Sequence, residues 1–154
     1  MSVRTPSQRA RWSRNKGAIA ERDLVKYLRT TGFGGAERAV RTGYRTADRV
    51  AADPGDITGT PGIVWSVKDS ATEQLTKWLA ELDAMEGDDV VRLLVHKRVG
   101  KADPGRWWCW LRLQTLLALD GHERMSIPYE APVRMELGHV VPLLHAAGYG
   151  DPVP

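Results

Sequence analysis

An aspartate and a lysine stand at the two ends of a short stretch that has the sequence of a β-hairpin. Asp56 follows Pro54-Gly55, and Lys68 follows a run of mostly β-branched and aromatic residues. Pairing of the two strands would bring the carboxylate close to the ammonium group. A carboxylate can hold a hard metal ion, and a lysine beside it can orient a ligand or stabilise charge. The same residue types are also common as a turn aspartate and a solvated edge lysine, so the other elements must decide between the two interpretations.

Turn chemistry and the alternation of side chains predict the hairpin itself. Gly59-Thr60-Pro61-Gly62 is a strong turn signal between the two strands. The residues that follow have the composition of a strand. Because side chains alternate along a strand, Ser66 and Lys68 share one face, while Trp65 and Val67 point to the other.

A helix is expected before the hairpin, over residues 16–30, with Asn15 as its N-cap and Gly32 beyond its end. Glu21 lies at the border of its apolar stripe. It is either a surface residue paired with a neighbouring basic residue or an acid that points inward to the hairpin. The stripe consists of Ile19, Leu24, Tyr27 and Leu28, with Val25 on its flank.

The remaining pattern is that of a mixed α/β protein. Residues 90–95 are almost all apolar, which is typical of a buried central strand. Ser70 and Glu73 have the spacing of a capping box at the start of a helix. A helix between the third and fourth strands is what a parallel crossover requires. The further predicted elements are strands over 37–42 and 107–113, the latter in a hairpin with 90–95, and helices over 73–85, 114–119 and 140–147.

Three tryptophans lie close together in one predicted strand. Alternation puts Trp107 with Cys109 on a core face and puts Trp108 and Trp110 on the other face. We expect the second pair to pack against a helix or a partner subunit. Stacking on unpaired bases is the alternative.

Charge is distributed unevenly along the 154 residues. Residues 1–49 contain 12 Lys and Arg against four acids, whereas the remaining residues contain 10 against 15. The basic part indicates a surface that meets a polyanion, and arginine favours phosphate because its guanidinium donates in a bidentate fork. Nucleic acid is therefore the expected partner, and a basic solvated tail without a specific partner is the alternative.

The composition excludes several classes of protein. With 42% hydrophobic and 27% charged residues, the chain is typical of a soluble globular protein. No apolar run approaches the ~20 residues of a membrane span. Cys109 is the one cysteine, so an intrachain disulfide and a Cys-based zinc cluster are excluded. These features favour a cytoplasmic protein.

Two segments together resemble the archaeal-type Holliday junction resolvases and their phage relatives, which belong to the PD-(D/E)xK nuclease superfamily. The first runs from Ser13 to Leu28 and has a basic residue, a glycine, an acid (Glu21) and a Leu-Val pair in the order of that family's first helix. The second is Gly55-Asp56-Ile57 followed by Val64-Trp65-Ser66-Val67-Lys68, which is similar to the motif that names the superfamily. The resemblance covers about residues 13–96. It implies a restriction-endonuclease-like αβββαβ core with a mixed central sheet flanked by helices.

One position departs from the family. The family has Glu or Asp two residues before its lysine, and this chain has Ser66, which cannot supply a charged ligand. Three accounts are open. A nearby acid takes over, with Glu73 preferred to Asp69; or the remaining acids hold Mg²⁺ weakly together with waters and a backbone carbonyl; or catalysis is lost and the fold only binds DNA.

The resemblance implies metal-dependent cleavage of branched DNA. Glu21, Asp56 and the Val67 carbonyl would hold Mg²⁺, with Mn²⁺ as an alternative, and the metal would activate water. Lys68, next to Ser66 on the strand face, would orient that water or stabilise charge on the phosphate. Symmetric cutting of two strands implies a homodimer. The residues expected on the DNA backbone are Arg11, Arg14, Lys16, Arg41 and Arg45.

The expected organisation has three parts: a flexible basic arm over 1–13, a nuclease-like domain over 14–120, and a C-terminal extension over 121–154 packed on that domain. The resemblance places the protein in a bacterial or phage-infected cell. Two other functions stay open, namely a nuclease directed to flaps or ends of DNA and a non-catalytic DNA-binding protein on a nuclease fold.

Overall fold

The computed structural model describes residues 3–39, 55–85, 87, 89–122 and 130–152. Within these ranges the chain has a mixed α/β fold with one six-stranded sheet and four α-helices. None of the helices in these ranges is long and apolar enough to cross a membrane. The strands are β1 (Glu37–Arg38), β2 (Ile57–Thr58), β3 (Ile63–Lys68), β4 (Val91–His96), β5 (Trp108–Arg112) and β6 (Pro132–Glu136). The helices are α1 (Pro6–Thr30), α2 (Leu75–Asp83), α3 (Leu113–Leu119) and α4 (Leu137–Ala146).

The six strands follow one another across the sheet in chain order. β3 and β4 are parallel, and the other neighbouring strands are antiparallel. A parallel connection needs a crossover, and α2 supplies it between β3 and β4. The predicted crossover and the predicted hairpin of the fourth and fifth strands are therefore confirmed.

Both faces of β3 are covered by helices, which explains its nearly continuous burial. On one face, Trp65 packs in a cluster with Leu24 and Leu28 of α1. On the other face, Val64 packs with Trp78 of α2. The side chains of β3 thus alternate between an α1 layer and an α2 layer, as the strand pattern predicts.

α1 begins at Pro6 rather than at residue 16. Its N-cap is Thr5, whose hydroxyl accepts a hydrogen bond from the Gln8 amide at 3.2 Å, while the Gln8 side chain accepts from the Thr5 amide at 2.8 Å. The prediction of Asn15 as the N-cap is wrong, and most of the segment interpreted as a flexible arm belongs to the helix. The added turns are exposed, so no apolar stripe marks them in the sequence.

The apolar stripe of α1 is confirmed at its centre and wrong at its start. Leu24, Val25 and Leu28 are buried, whereas Ile19 is 50% exposed. Ala20 is fully buried instead. A small residue at that position lets the helix lie close to the sheet.

The predicted hairpin is confirmed in β2 and β3. Ile57 pairs with Trp65, and the Trp65 indole donates to the Thr60 hydroxyl at 2.9 Å, which ties the strand to its own turn. The strand predicted over 37–42 is observed only at Glu37–Arg38, as β1. Residues 40–54 lie outside the described ranges, and the predicted DNA contacts Arg41 and Arg45 lie outside with them.

The start of α2 differs from the prediction. The helix begins at Leu75, and Gln74 caps it without a side-chain hydrogen bond. The Ser70 hydroxyl bonds to the backbone of Thr72 instead, so the predicted capping box of Ser70 and Glu73 does not form. The intervening residues make a turn that carries the chain from β3 to the α2 layer.

The tryptophan strand is confirmed, and a sixth strand follows that the sequence did not predict. Trp107 and Cys109 are fully buried, while Trp108 and Trp110 are only partly buried. β6 begins at Pro132 and forms the outer edge of the sheet, where a first-residue proline costs no ladder hydrogen bond.

The residues around the end of α4 fasten the end of α1. The ring nitrogens of His145 lie 2.6 Å from the Thr31 carbonyl oxygen and 3.0 Å from the Tyr149 carbonyl oxygen. The Asp151 carboxylate accepts a hydrogen bond from the Gly34 amide at 2.7 Å. These contacts hold the α1–β1 connection against the C-terminal residues.

Two glycines with nearly the same left-handed backbone allow a test of the close approach near the hairpin turn. A Cβ on Gly59 (φ +79°) would lie 1.8 Å from the Gly35 carbonyl oxygen, whereas a Cβ on Gly100 (φ +77°) would meet nothing within 4 Å. Both alanine variants carry left-handed strain of about 1–2 kcal/mol. We expect Gly59→Ala to lose clearly more free energy of unfolding than Gly100→Ala in urea, because only Gly59 also meets backbone. Equal losses would contradict this packing.

Candidate functional site

Asp56 is held by its backbone and by its carboxylate. Its amide donates to the Trp65 carbonyl at 2.7 Å, and its own carbonyl accepts from the Ala39 amide at 3.0 Å. Its carboxylate accepts from the Val67 amide at 2.7 Å. A carboxylate that accepts from a backbone N–H makes a short, charge-assisted hydrogen bond. The acid is thus fixed beside the strand that ends at Lys68.

Ser66 occupies the position at which the resembling family has an acid. It is 1% exposed, and its hydroxyl has no hydrogen-bond partner in the part of the chain that the structure describes. Strand alternation places it with Val64 and Lys68 on the α2 side of β3. The position therefore holds a small, buried polar side chain on the same strand face as the lysine.

Lys68 has an acidic partner that the sequence did not predict. Its ammonium group donates to the Glu81 carboxylate of α2 at 2.9 Å, and Lys77 lies 4.0 Å from the same carboxylate. The hydrogen bond from Lys68 holds the pKa of Glu81 below its ordinary value. Glu81 lies on an exposed part of α2, and only the docking of the helix on the sheet reveals the pair.

A histidine stands beside Lys68 on the parallel neighbour strand. His96 is the register partner of Lys68. One ring nitrogen lies 2.8 Å from the Ser70 carbonyl oxygen, and the other, Nδ1, is buried without a hydrogen-bond partner in the described ranges. The ring meets Trp78 edge-on at 4.9 Å. His96 was not predicted as a neighbour of Lys68, although Lys68 ends β3 and His96 ends β4.

The acids considered as substitutes for Ser66 are placed differently. Asp69 is mostly buried, at 3.3 Å from the Lys16 ammonium and 3.9 Å from the Lys97 ammonium. Glu73 is exposed in the turn before α2. Asp69 therefore joins α1 to the end of β4, and Glu81 is the acid found at Lys68.

Glu21 lies on the other side of the sheet from Ser66 and Lys68. Its carboxylate accepts from the Arg38 side chain at 2.8 Å. Arg38 is the register partner of Ile57, which packs in the α1 layer. The structure thus brings Glu21 to the strand pair that carries Asp56, but on the α1 face.

The donor set can be compared with what Mg²⁺ requires. Among the described residues, no three His, Cys, Asp or Glu side chains are grouped so that they could hold a metal ion. Asp56 offers carboxylate oxygens at the Val67 amide, and the Val67 carbonyl points to the same strand edge as its amide. Mg²⁺ commonly binds through one or two carboxylates, waters and substrate phosphates. One carboxylate and one carbonyl would therefore hold Mg²⁺ only together with substrate phosphate and water.

Cys109 does not contribute a nucleophile. It is fully buried, and burial raises the pKa of its thiol to about 12. The thiol is therefore protonated at neutral pH, and the thiolate is the reactive form.

The first turns of α1 carry a concentration of positive charge. Arg11 and Arg14 are exposed, and Lys16 is partly exposed. The exposed Trp12 is covered by Arg4 at 4.7 Å and by Lys16 at 4.9 Å. Because the first acid in the chain is Glu21, this end of the helix has a field that attracts anions.

Fold and site together define a mixed α/β protein in which an aspartate just before β2 lies against β3, the strand that carries a buried serine and ends at a lysine. Comparison with known proteins adds no relative, since no family model, curated protein or solved structure matches the chain.

Removing Lys68 tests the ion pair at the site. In Lys68→Met we expect the pKa of Glu81 to rise toward its ordinary value, because the principal cause of its lowering is the Lys68 hydrogen bond. In Lys77→Met the rise should be smaller, since the Nζ–Oε1 distance there is 4.0 Å. Side-chain carboxyl NMR titration measures both. An unchanged pKa in Lys68→Met would show that the pair does not form in solution.

Proposed function

We propose that the protein is a Mg²⁺-dependent endodeoxyribonuclease of the Holliday junction resolvase kind, with a restriction-endonuclease-like core. The observation that carries this proposal is the Asp56 carboxylate on the Val67 amide, 2.7 Å away, one residue before Lys68. It fixes the acid against the backbone of the strand that ends at the lysine of the motif. The order α1, β1, β2, β3, α2, β4, with β3 parallel to β4, agrees with the αβββαβ core that the resemblance implies.

In this proposal Asp56 and Val67 have one role, in metal binding, and Lys68 has another, in stabilising charge. The Asp56 carboxylate and the Val67 carbonyl are the groups that would hold Mg²⁺, with phosphate oxygens of DNA as further ligands. When bound, Mg²⁺ supplies an activated water and offsets phosphate charge. Lys68 exchanges Glu81 for the scissile phosphate and donates to the oxygen on which charge develops.

DNA binding would also release Glu21. Arg38 holds Glu21 at 2.8 Å, and a guanidinium binds phosphate in the same forked geometry as carboxylate. A phosphate on Arg38 would leave Glu21 available as a second acid near β2. Because the sheet separates Glu21 from Lys68, this exchange would adjust DNA contacts on the α1 face and not the chemistry beside Lys68.

The basic part of α1 would bind the DNA backbone. Arg11, Arg14 and Lys16 lie on its exposed turns, and binding through them would weaken with salt because condensed counterions are released. Arg41 and Arg45 complete the proposed contacts from outside the described ranges. A four-way junction needs two symmetric cuts, so the proposal includes a two-fold homodimer.

A non-catalytic DNA-binding protein is the second candidate. Ser66 favours it, because a buried hydroxyl stands where the resembling nucleases have a charged ligand. The ion pair of Lys68 with Glu81 also favours it, because it occupies the lysine in the absence of DNA. Cleavage of DNA distinguishes the nuclease from the non-catalytic protein. A preference for flaps or linear ends over junctions would indicate a nuclease directed to flaps or ends of DNA.

Asp56→Asn separates cleavage from folding and binding. The amide oxygen can still accept from Val67, so the hairpin should remain, whereas the charge for Mg²⁺ is lost. We expect cleavage of a labelled four-way junction to fall at least about 100-fold, with junction affinity nearly unchanged.

The matched control is Asp83→Asn, which removes an exposed carboxylate paired with Arg112 on another part of the sheet. It should cleave like the wild type. Full activity in Asp56→Asn would remove Asp56 from the site, and equal losses in both variants would indicate a general effect of charge.

Ser66→Glu restores the acid that the resembling family carries. A carboxylate at this 1% exposed position should destabilise the fold in EDTA, because a buried charge without a partner is costly. We expect Mg²⁺ to raise its thermal unfolding midpoint and its cleavage rate above those of the wild type. Ser66→Gln, which has the same size and no charge, should show neither effect. If Mg²⁺ changed neither the unfolding midpoint nor the cleavage rate of Ser66→Glu, position 66 would lie outside the metal site.

A further inference from the structure

A row of register partners leads from Lys68 across the sheet to a tryptophan. Lys68 pairs with His96, His96 pairs with Trp108, and Trp108 pairs with Glu136. Residues directly opposite each other share a face, so the row lies on the α2 side. With strands about 4.8 Å apart, Trp108 stands roughly 10 Å from Lys68.

Arginines cover Trp108. The guanidinium of Arg98 lies 3.9 Å from its ring centroid, and that of Arg134 lies 4.0 Å from it. Arg106 adds a third cation, 3.5 Å from the Glu136 carboxylate that also binds Arg98 at 3.2 Å. Two arginines thus stack on one aromatic ring, and one of them shares the Glu136 carboxylate with a third arginine.

Trp108 differs from its neighbour Trp110. Trp110 packs against the apolar cluster of α2, which confirms for this ring the predicted packing against a helix. Trp108 is not a member of that cluster, and its stacking partners are guanidinium groups. Arg134 is exposed on the edge strand β6, and no salt bridge to it is found among the described residues.

We propose that Trp108, with Arg98, Arg106 and Arg134, forms a site for an unpaired nucleobase and its flanking phosphates. A base would replace one guanidinium on the ring face, and the displaced arginine would bind a phosphate. Aromatic rings accept any base, because every base has a π-face, and a positive groove follows the backbone. The site takes single-stranded nucleic acid and rests on the proposed function only in assuming that DNA is the partner.

Charge favours nucleic acid over a second copy of the chain. A two-fold interface centred on this patch would place the patch against its own copy. Each copy would bring three arginines against one acid, Glu136, so the two patches would repel each other. Phosphate neutralises the same groups.

The test uses a fluorescein-labelled oligothymidylate in EDTA and a matched strand whose sugars carry no bases. Trp108→Leu should weaken the Kd for the oligothymidylate by about 5- to 150-fold, the range of one stacked base, and should leave the Kd for the abasic strand nearly unchanged. Trp108→Phe should restore most of the affinity. Trp12→Leu, which removes the exposed tryptophan of α1, should keep the dependence on bases. Arg134→Gln should weaken the binding of both strands. It should also lower the slope of log affinity against log salt concentration by about one.

Several outcomes would overturn the site. If Trp108→Leu weakened the affinity for both strands equally, the ring would have a structural role. If the affinity did not change, Trp108 would not contact the nucleic acid. Dissociation of a dimer by Arg134→Gln, seen by sedimentation without DNA, would assign the surface to a second copy. The binding test is made in EDTA, so it does not depend on cleavage. A failure to cleave junctions would therefore not overturn the base-binding site, and a failure to recognise bases would not overturn the nuclease proposal.

Discussion

The parallel pairing of β3 with β4 is the constraint on which the arrangement depends. A parallel pair cannot close through a tight turn, so the chain must cross over the sheet, and α2 makes that crossing. With α1 on the opposite face, β3 is buried from both sides. The same pairing puts the ends of two strands together, so that Lys68 lies beside His96. Asp56, just before β2, contacts the same end of β3 through the hydrogen bond from the Val67 amide to its carboxylate.

The elements around the site could be predicted because their signals are local. The turn at Gly59–Gly62 and the run that precedes Lys68 define the hairpin through glycine conformation and strand composition. Alternation in the tryptophan strand identified Trp107 and Cys109 as core, and both are fully buried. Each of these inferences uses a few adjacent residues and a single periodicity.

The errors have two physical causes. The start of α1 carried a readable signal, since Thr5-Pro6-Ser7-Gln8 has the capping-box spacing with proline at the first helical position, but the exposed turns have no apolar stripe. The Lys68–Glu81 pair had no readable signal, because it depends on how α2 docks on the sheet. Likewise, the separation of Glu21 from Lys68 by the sheet follows from which face α1 covers. Contacts between layers are set by tertiary packing, and sequence spacing does not encode them.

We propose above that Asp56 and Lys68 take part in the cleavage of branched DNA. The most direct test of this proposal compares a labelled four-way junction with linear duplex of the same sequence, using the wild-type protein in Mg²⁺, Mn²⁺ or EDTA. The account predicts paired, symmetric nicks on the junction in either metal, with none in EDTA. Tight binding of the junction without cleavage in either metal would contradict it and would make the protein a DNA-binding relative of nucleases.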